Sequence, residues 1–470
     1  MQYNLDVSDL HRKAQALVTF HQQFVQYFKT QTRTVAAHAL DYLKGQLLCP
    51  SRRNMNHMAK QVTTKNAQAL SHFVSQSPWK DEPVIDAIGK GVVERMAGQA
   101  GTLPDPALIL DESGIPKQGD QSVGVARQYC GALGKVDTCQ VGVFLAYSTP
   151  THASLIDRRL YVPEAWVNDL ERCQHAGIPE TERVFRTKAQ LGLEMILKAQ
   201  ARGLPFDFVG MDAHYGEQPW LLTALEQAPK PIIYVADIPC DTQVYLDYPH
   251  VGVPPRKGSR GKSPTKPRVL HGEAVEVQAL VSSGRVALRS LKIRETQRGE
   301  LWVHTGALRV WRIEEKLPTA QSVWLIVRRE MDGSDVKFSF SNAPASTSLE
   351  TLVERQSRRY FVERAVQDGK ELAGLDEYQV TGWRGWHHHM TLVLLAMLFL
   401  LEVKHDLVEK APLLSLQDTV EILKVVMPRK TLSVQDAVEL IRQKHLNRFR
   451  SRNSRLKKQR VWLKASGFLM

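Results

Sequence analysis

Apolar residues recur every three or four positions through Leu10–Tyr42 and Met55–Val74 and, after the break at Ser77-Pro78-Trp79, through Val84–Met96. That period puts one apolar stripe on each segment and predicts amphipathic helices with basic faces over the first 100 residues. From residue 106 the pattern changes. Ala107–Leu110 is an unbroken apolar run ending at Asp111, with Gly114, Pro116 and Gly119 behind it, and it reads as a buried strand opening into a loop. Val141–Tyr147 and Leu155–Val162 predict two further strands and Leu191–Ala201 a helix. Phe206–Met211 predicts a strand ending at Asp212 and the turn His214-Tyr215-Gly216. Trp220–Glu226 follows as a short helix and Pro231–Val235 as another strand. Strands and helices in this order predict a mixed α/β sheet.

The plan changes again after residue 240. Val253–Arg268 is rich in Lys, Arg, Gly and Pro without an apolar period, which suits a flexible basic loop. Ala274–Leu280, Arg285–Ile293, Leu301–Val303, Ala307–Ile313, Ser322–Arg328 and Val336–Phe340 alternate as strands do and predict an all-β insertion. Helical spacing returns over Leu349–Leu372, through Met390–Leu401 and at the C-terminus. The expected organisation is a helical N-terminal domain over 1–100, the first part of an α/β core over 101–239, a β-rich insertion over 240–345, the second part of the core over 346–405, and a helical basic region over 406–470.

Composition narrows the class. Against 49 Asp and Glu stand 62 Lys and Arg, a net charge of +13 that favours a polyanionic partner, nucleic acid or an anionic membrane surface. The five cysteines (Cys49, Cys130, Cys139, Cys173, Cys240) form no CxxC pair, which suits a reducing cytosol and argues against a disulfide framework or zinc ribbon. The polar start MQYNLDVSDLHRKAQ lacks a signal peptide's apolar stretch. Met390–Leu401 is shorter than the roughly 20 residues a spanning helix needs and reads as a buried helix. A soluble, cytoplasmic protein without a membrane partner is expected.

Asp111 and Asp212 both sit at the carboxyl ends of predicted strands, where ligands gather in open α/β sheets. Two carboxylates there can share a hard divalent cation such as magnesium; each can equally cap the turn that follows it. Glu363 shares a helical face with Arg359 and Lys370, a spacing that by itself describes a solvated ion pair.

The flanking segments supply more. LILDESGIPKQGDQSVGVARQYCGALGKVDTCQVGV, RLYVPEAW, FVGMDAHYG and GLDEYQVTGWRGWHHHMTL resemble the DDE transposases of bacterial insertion sequences, in order and spacing, over roughly residues 50 to 400. One branch carries Tyr-x2-Arg-x3-Glu-x6-Lys on its glutamate helix; Arg359, Glu363 and Lys370 fit it, and Gln356 stands where the Tyr would be. The resemblance implies an RNase H-like fold on which Asp111, Asp212 and Glu363 are catalytic and hold two magnesium or manganese ions. It implies nicking at the ends of a mobile element and transfer of the freed 3′-hydroxyl into target DNA by a homodimer on double-stranded DNA. Arg359 and Lys370 would contact phosphates near the ions. Gln356 offers no ring to hold a flipped nucleotide, so hairpin and non-hairpin cleavage both stay open.

Other residues are weaker candidates. Lys117 follows Pro116 and can touch phosphate, and Arg127 and Lys135 lie in the next basic segment. Trp302, Trp311 and Trp324 are candidates for stacking an extruded base, though a strand tryptophan is more often core. Adjacent His387-His388-His389 point in different directions on a helix, which suits a structural or DNA-facing role better than one shared ion. Arg448, Arg450, Arg452, Arg455, Lys457, Lys458 and Arg460, with Phe449 and Trp462, form a basic run suited to phosphates. Arg52, Arg53, Lys60 and Lys65 are candidates for reading the element's ends. The alternatives are a non-catalytic DNA-binding regulator derived from a transposase, and a nuclease that cuts without joining.

Overall fold

The computed structural model describes residues 4–50, 52–62, 67–97, 105–256, 264–296, 299–428 and 434–465. Lys65 lies outside them, as do the side chains of Arg460 and Trp462.

Apolar runs build the centre of one large sheet. Its core strands are β1 (Ala107–Pro116), β2 (Ala126–Cys130), β3 (Lys135–Ser148), β4 (Ala153–Leu160), β5 (Phe208–Met211) and β6 (Tyr234–Ile238). β3 lies antiparallel to β1 and carries β2 and β4 along its other edge. On β1's far side, β5 and then β6 run parallel to it. β1 differs from expectation in not ending at Asp111: β3 pairs it in register as far as Pro116, so the ladder satisfies the backbone past Asp111. Asp111 is therefore a mid-strand residue opposite Phe144.

The β-rich segment continues this sheet. Val336–Ser341 pairs antiparallel with β6, followed outward by Val323–Glu330, Gly299–Glu314 and Arg289–Thr296. Two expected strands, Leu301–Val303 and Ala307–Ile313, are one. Ala274–Leu280 is not a strand: Val275–Glu276 pairs briefly, and Val277–Ser282 is a helix that buries Val277 and Leu280, three residues apart. The insertion is thus not all-β.

Trp383–Leu407 is the central helix. It is buried all round from Gly385 to Leu401, the signature of a core helix. Helices Ala36–Leu48, Ala67–Ser75 and Glu82–Ala97 pack on it, as do β4 and the glutamate-bearing helix, in one continuous apolar cluster. The three histidines tie this assembly together. His387 Nδ1 meets the Trp383 carbonyl at 3.0 Å. His388 lies between the carbonyls of Val74 and Trp79 at 2.9 and 3.0 Å, and His389 joins the Tyr42 hydroxyl at 2.8 Å to the Gly374 carbonyl at 3.0 Å. Their role is structural; all three are buried, so none faces DNA. No described helix is long and apolar enough to cross a membrane.

The expected helix Leu349–Leu372 is two, Leu349–Ser357 and Tyr360–Ala373. At the break Arg358 turns inward, 1% exposed, onto Asp105 and Glu354. Ser348 caps the first helix by accepting from the Thr351 amide, and Gly374, at φ 72°, ends the second in the left-handed region that glycine enters without strain. Arg53 closes that end, donating to the carbonyls of Glu371 and Leu372 at 2.6 and 3.2 Å and pairing with Glu377. Expected as a DNA contact, Arg53 is engaged within the protein instead.

Candidate active site

Register brings the acids together. Leu110, Met211 and Ala236 are paired across β1, β5 and β6, so the next residue along each strand places Asp111, Asp212 and Asp237 in one row. Neighbours in such a row sit about 4.8 Å apart and point to the same face. Asp212 also caps the short helix Ala213–Gly216, accepting from the amides of His214 and Tyr215 at 3.0 and 3.4 Å. Both readings of that residue, turn cap and site acid, therefore hold in one geometry.

A cavity of about 300 Å³ opens over Asp111 and Asp212. Asp111, Glu112, Ser113, Asp212, Glu363 and Lys370 line it, with Lys188 and the exposed Tyr129 at its wall. Among the described residues no three His, Cys, Asp or Glu side chains already stand close enough to hold one ion. The Asp212 charge acts on Asp111, while Glu363, which lines the same cavity, pairs with Arg359 at 2.8 Å. In this arrangement Arg359 holds one oxygen of Glu363, Oε1.

Charge explains the arrangement. Burial, and then the Asp212 charge, push the Asp111 carboxyl up to about 8. Burial, and then Glu112, raise Asp212 as well. Glu112 accepts from Lys188 Nζ at 2.5 Å and from the Tyr215 hydroxyl at 2.7 Å. Arg359 is the cation at the centre of the cluster: burial works against its charge, but Glu363, Asp237, Asp111 and Asp212 outweigh it. Carboxylate oxygens that resist ionising together are what a hard divalent cation relieves, and the donor set fits magnesium or manganese. Because Asp111 must lose its proton to accept a cation, Mn2+ affinity is expected to rise with pH by up to about tenfold per unit until Asp111 is ionised near pH 8, then level off. Calorimetric titration between pH 6.5 and 9 checks this; a flat profile contradicts it.

Other candidates are placed differently. Lys117 lies against Tyr378, its Nζ 3.8 Å from the ring centre and 3.2 Å from the Tyr378 carbonyl, and burial lowers its ammonium to about 8. Arg127 is exposed on β2, and Lys135 pairs with Asp137. None of Trp302, Trp311 and Trp324 lines the cavity. Trp302 is exposed, Trp311 packs edge-on against Tyr248, and Trp324 donates to the Pro344 carbonyl. Arg448, Arg450, Arg452, Arg455, Lys457 and Lys458 are exposed along one helix, Val434–Ala465. Gln356 is 4% exposed and bonds inward to Ser339, away from any phosphate; its Oε1 has no partner among the described residues, at a cost on the order of 1–3 kcal/mol.

Sequence reasoning missed Glu112, Lys188 and Asp237. Asp237 had a signal: YVAD, like LILD and VGMD, is an apolar run ending in aspartate.

A family model described as DDE superfamily endonuclease matches residues 23–300, more than half of the chain and short of Glu363. The chain is 31% identical over 210 residues to a probable transposase for insertion sequence element IS701 from Microchaete diplosiphon. That match covers 44% of this chain and 50% of the relative, so it spans about half of the relative's length. Among solved structures, the piggyBac transposase in a synaptic complex with hairpin DNA aligns over 88% of this chain and 77% of its own, at 9% identity and a TM-score of 0.38. The NurA nuclease of Sulfolobus solfataricus aligns over 62% and 88%, at 8% identity and a TM-score of 0.24. Both structural likenesses are too slight to bear on function.

Proposed function

The chain belongs to the DDE superfamily of endonucleases, and we propose on that footing that it is an insertion-sequence transposase whose Asp111, Asp212 and Glu363 hold two divalent cations for DNA cleavage and strand transfer. The observation that carries the reading is the pair Asp111 and Asp212, half-buried neighbours on β1 and just past the end of β5, with the Asp111 carboxyl raised to about 8, under a cavity that Glu363 also lines. The strand order supports an RNase H-like core: three antiparallel strands with β1 innermost, then β5 and β6 parallel to it.

Asp111, Asp212 and Glu363 would hold the ions, which supply a more acidic attacking water or 3′-hydroxyl and neutralise the leaving oxygen. The chain's own cations do the rest. Lys370 at the cavity wall and Arg359, once released by Glu363, set the scissile phosphate over the acids. Lys188 keeps Glu112 neutralised and out of the competition for the ions. No covalent enzyme intermediate is needed, and two ends joined to one target call for a dimer.

Pre-cut element ends with free 3′-hydroxyls, incubated with Mg2+ and a target plasmid, should yield joined product. Cutting without joining would leave a nuclease, and neither activity a regulator. The exposed cations of Val434–Ala465 would grip phosphates outside the site. Deleting residues 442–470 should flatten the logarithmic dependence of DNA affinity on salt by about 0.9 for each phosphate that is no longer neutralised, with the largest weakening at low salt. An unchanged slope in filter-binding titrations contradicts that role.

A further inference from the structure

Arg359 is held from two sides. Its Nη2 meets Glu363 at 2.8 Å, and its Nε meets Asp237 Oδ2 at 3.1 Å. Asp237 does not line the cavity; it stands one strand beyond Asp212 and is itself anchored. Its other oxygen, Oδ1, accepts from the Ser339 hydroxyl at 2.5 Å, and that hydroxyl's oxygen accepts from Gln356 Nε2 at 2.7 Å. Ser339 faces Asp237 directly across the β6 pairing, and Gln356 reaches Ser339 from the helix before Arg359. A continuous chain of contacts thus runs Gln356–Ser339–Asp237–Arg359–Glu363.

We propose that Asp237 is a positioning residue that keeps Arg359 in place when Glu363 turns to the cations, and that Ser339 and Gln356 fix Asp237 for that task. The inference rests on the proposed role of Glu363. Without Asp237, Glu363 would be the one ion-pair partner left to Arg359 among the described residues, so a divalent cation would compete against a full ion pair and against a guanidinium balanced only by Asp111 and Asp212, the acids that the cation itself would take. With Asp237, Glu363 is freed at little cost and Arg359 keeps a carboxylate partner. Gln356, at the position where the resembling branch carries Tyr, serves the acid cluster from behind.

The test is calorimetric titration of the full-length, DNA-free protein with Mn2+ at pH 8, with thermal melting of every variant as a control. Wild type should bind, and Asp111→Asn should abolish binding; failure of either overturns the proposed function and this inference with it. Asp237→Asn should weaken Mn2+ binding about tenfold, the usual scale for a residue that orients a ligand. Ser339→Ala and Gln356→Leu should shift it the same way by a smaller factor, and Ser339→Thr, which keeps the hydroxyl, should restore it. In an Arg359→Gln background the Asp237→Asn effect should shrink to less than twofold. Unchanged Mn2+ affinity in Asp237→Asn, a lower melting temperature without an affinity change, or the same tenfold loss in the Arg359→Gln background would each overturn the inference while leaving the proposed function standing.

Discussion

Asp111→Asn is expected to remove DNA cleavage, by at least about a thousandfold or roughly 4 kcal/mol of transition-state stabilisation, and at the same time to stabilise the metal-free protein at pH 8. The two effects share one cause. Asp111 lies on β1 with Asp212 just past the end of β5, and burial, then that neighbouring charge, hold its carboxyl near 8 against 3.8 for the free group. A folded state that keeps a proton the unfolded chain releases loses stability as pH rises through that window, from about 4 to about 8, and is most penalised above it. Asn keeps the shape and carries no charge, so the metal-free variant should melt several degrees higher than wild type at pH 8 and at the same temperature near pH 4. Differential scanning fluorimetry at both pH values, alongside nicking of end DNA in Mg2+ and gel-shift binding, reads all three quantities. A variant that nicks near normally, or that melts lower at pH 8, contradicts the assignment of Asp111.

Gly216→Ala is expected to have the second largest effect, on the fold at the site. Gly216 ends the short helix that Asp212 caps, and a methyl group there would lie 1.9 Å from the carbonyl oxygen of Asp237. Neither partner can yield cheaply, because β6 is paired on both sides and Ala213–Gly216 is fixed by the Asp212 cap. Overpacking against backbone should cost about 3 kcal/mol or more and move Asp212 and Asp237 apart. Gly131, where an added methyl meets nothing within 4 Å, is the control: Gly131→Ala should leave the urea midpoint nearly unchanged. Equal midpoints for the two variants would contradict the close approach.

What the sequence revealed and what it hid divide along physical lines. Continuous apolar runs ending in aspartate placed β1, β5 and the acids Asp111 and Asp212, because burial on both faces leaves such runs little other conformation. Arg359 and Glu363 were legible as an ion pair from their spacing, and that pair is present. The extension of β1 past Asp111 was hidden, because pairing with β3 overrode the loop signal of Gly114 and Pro116. The inward turn of Arg358 was hidden because its partner Asp105 is 253 residues away in the chain. Asp237 ends an apolar run as the other two acids do, but its place in the row follows from the β5–β6 register, and only the fold brings Ser339 to it and Gln356 to Ser339. The inward turn of Gln356, which stands at the signature tyrosine's position, was hidden as well, because it depends on burial against Ser339.

The central claim is that Asp111, Asp212 and Glu363 together ligate the cations that act on DNA. The most direct measurement is the structure of the full chain bound to pre-cleaved end DNA in Ca2+, with anomalous scattering locating the ions. Two ions bridged by carboxylate oxygens of all three residues, with Glu363 released from Arg359 and Arg359 still on Asp237, is the predicted result. Ions bound without Glu363, which remains paired to Arg359 beside an ordered 3′-hydroxyl, would contradict it.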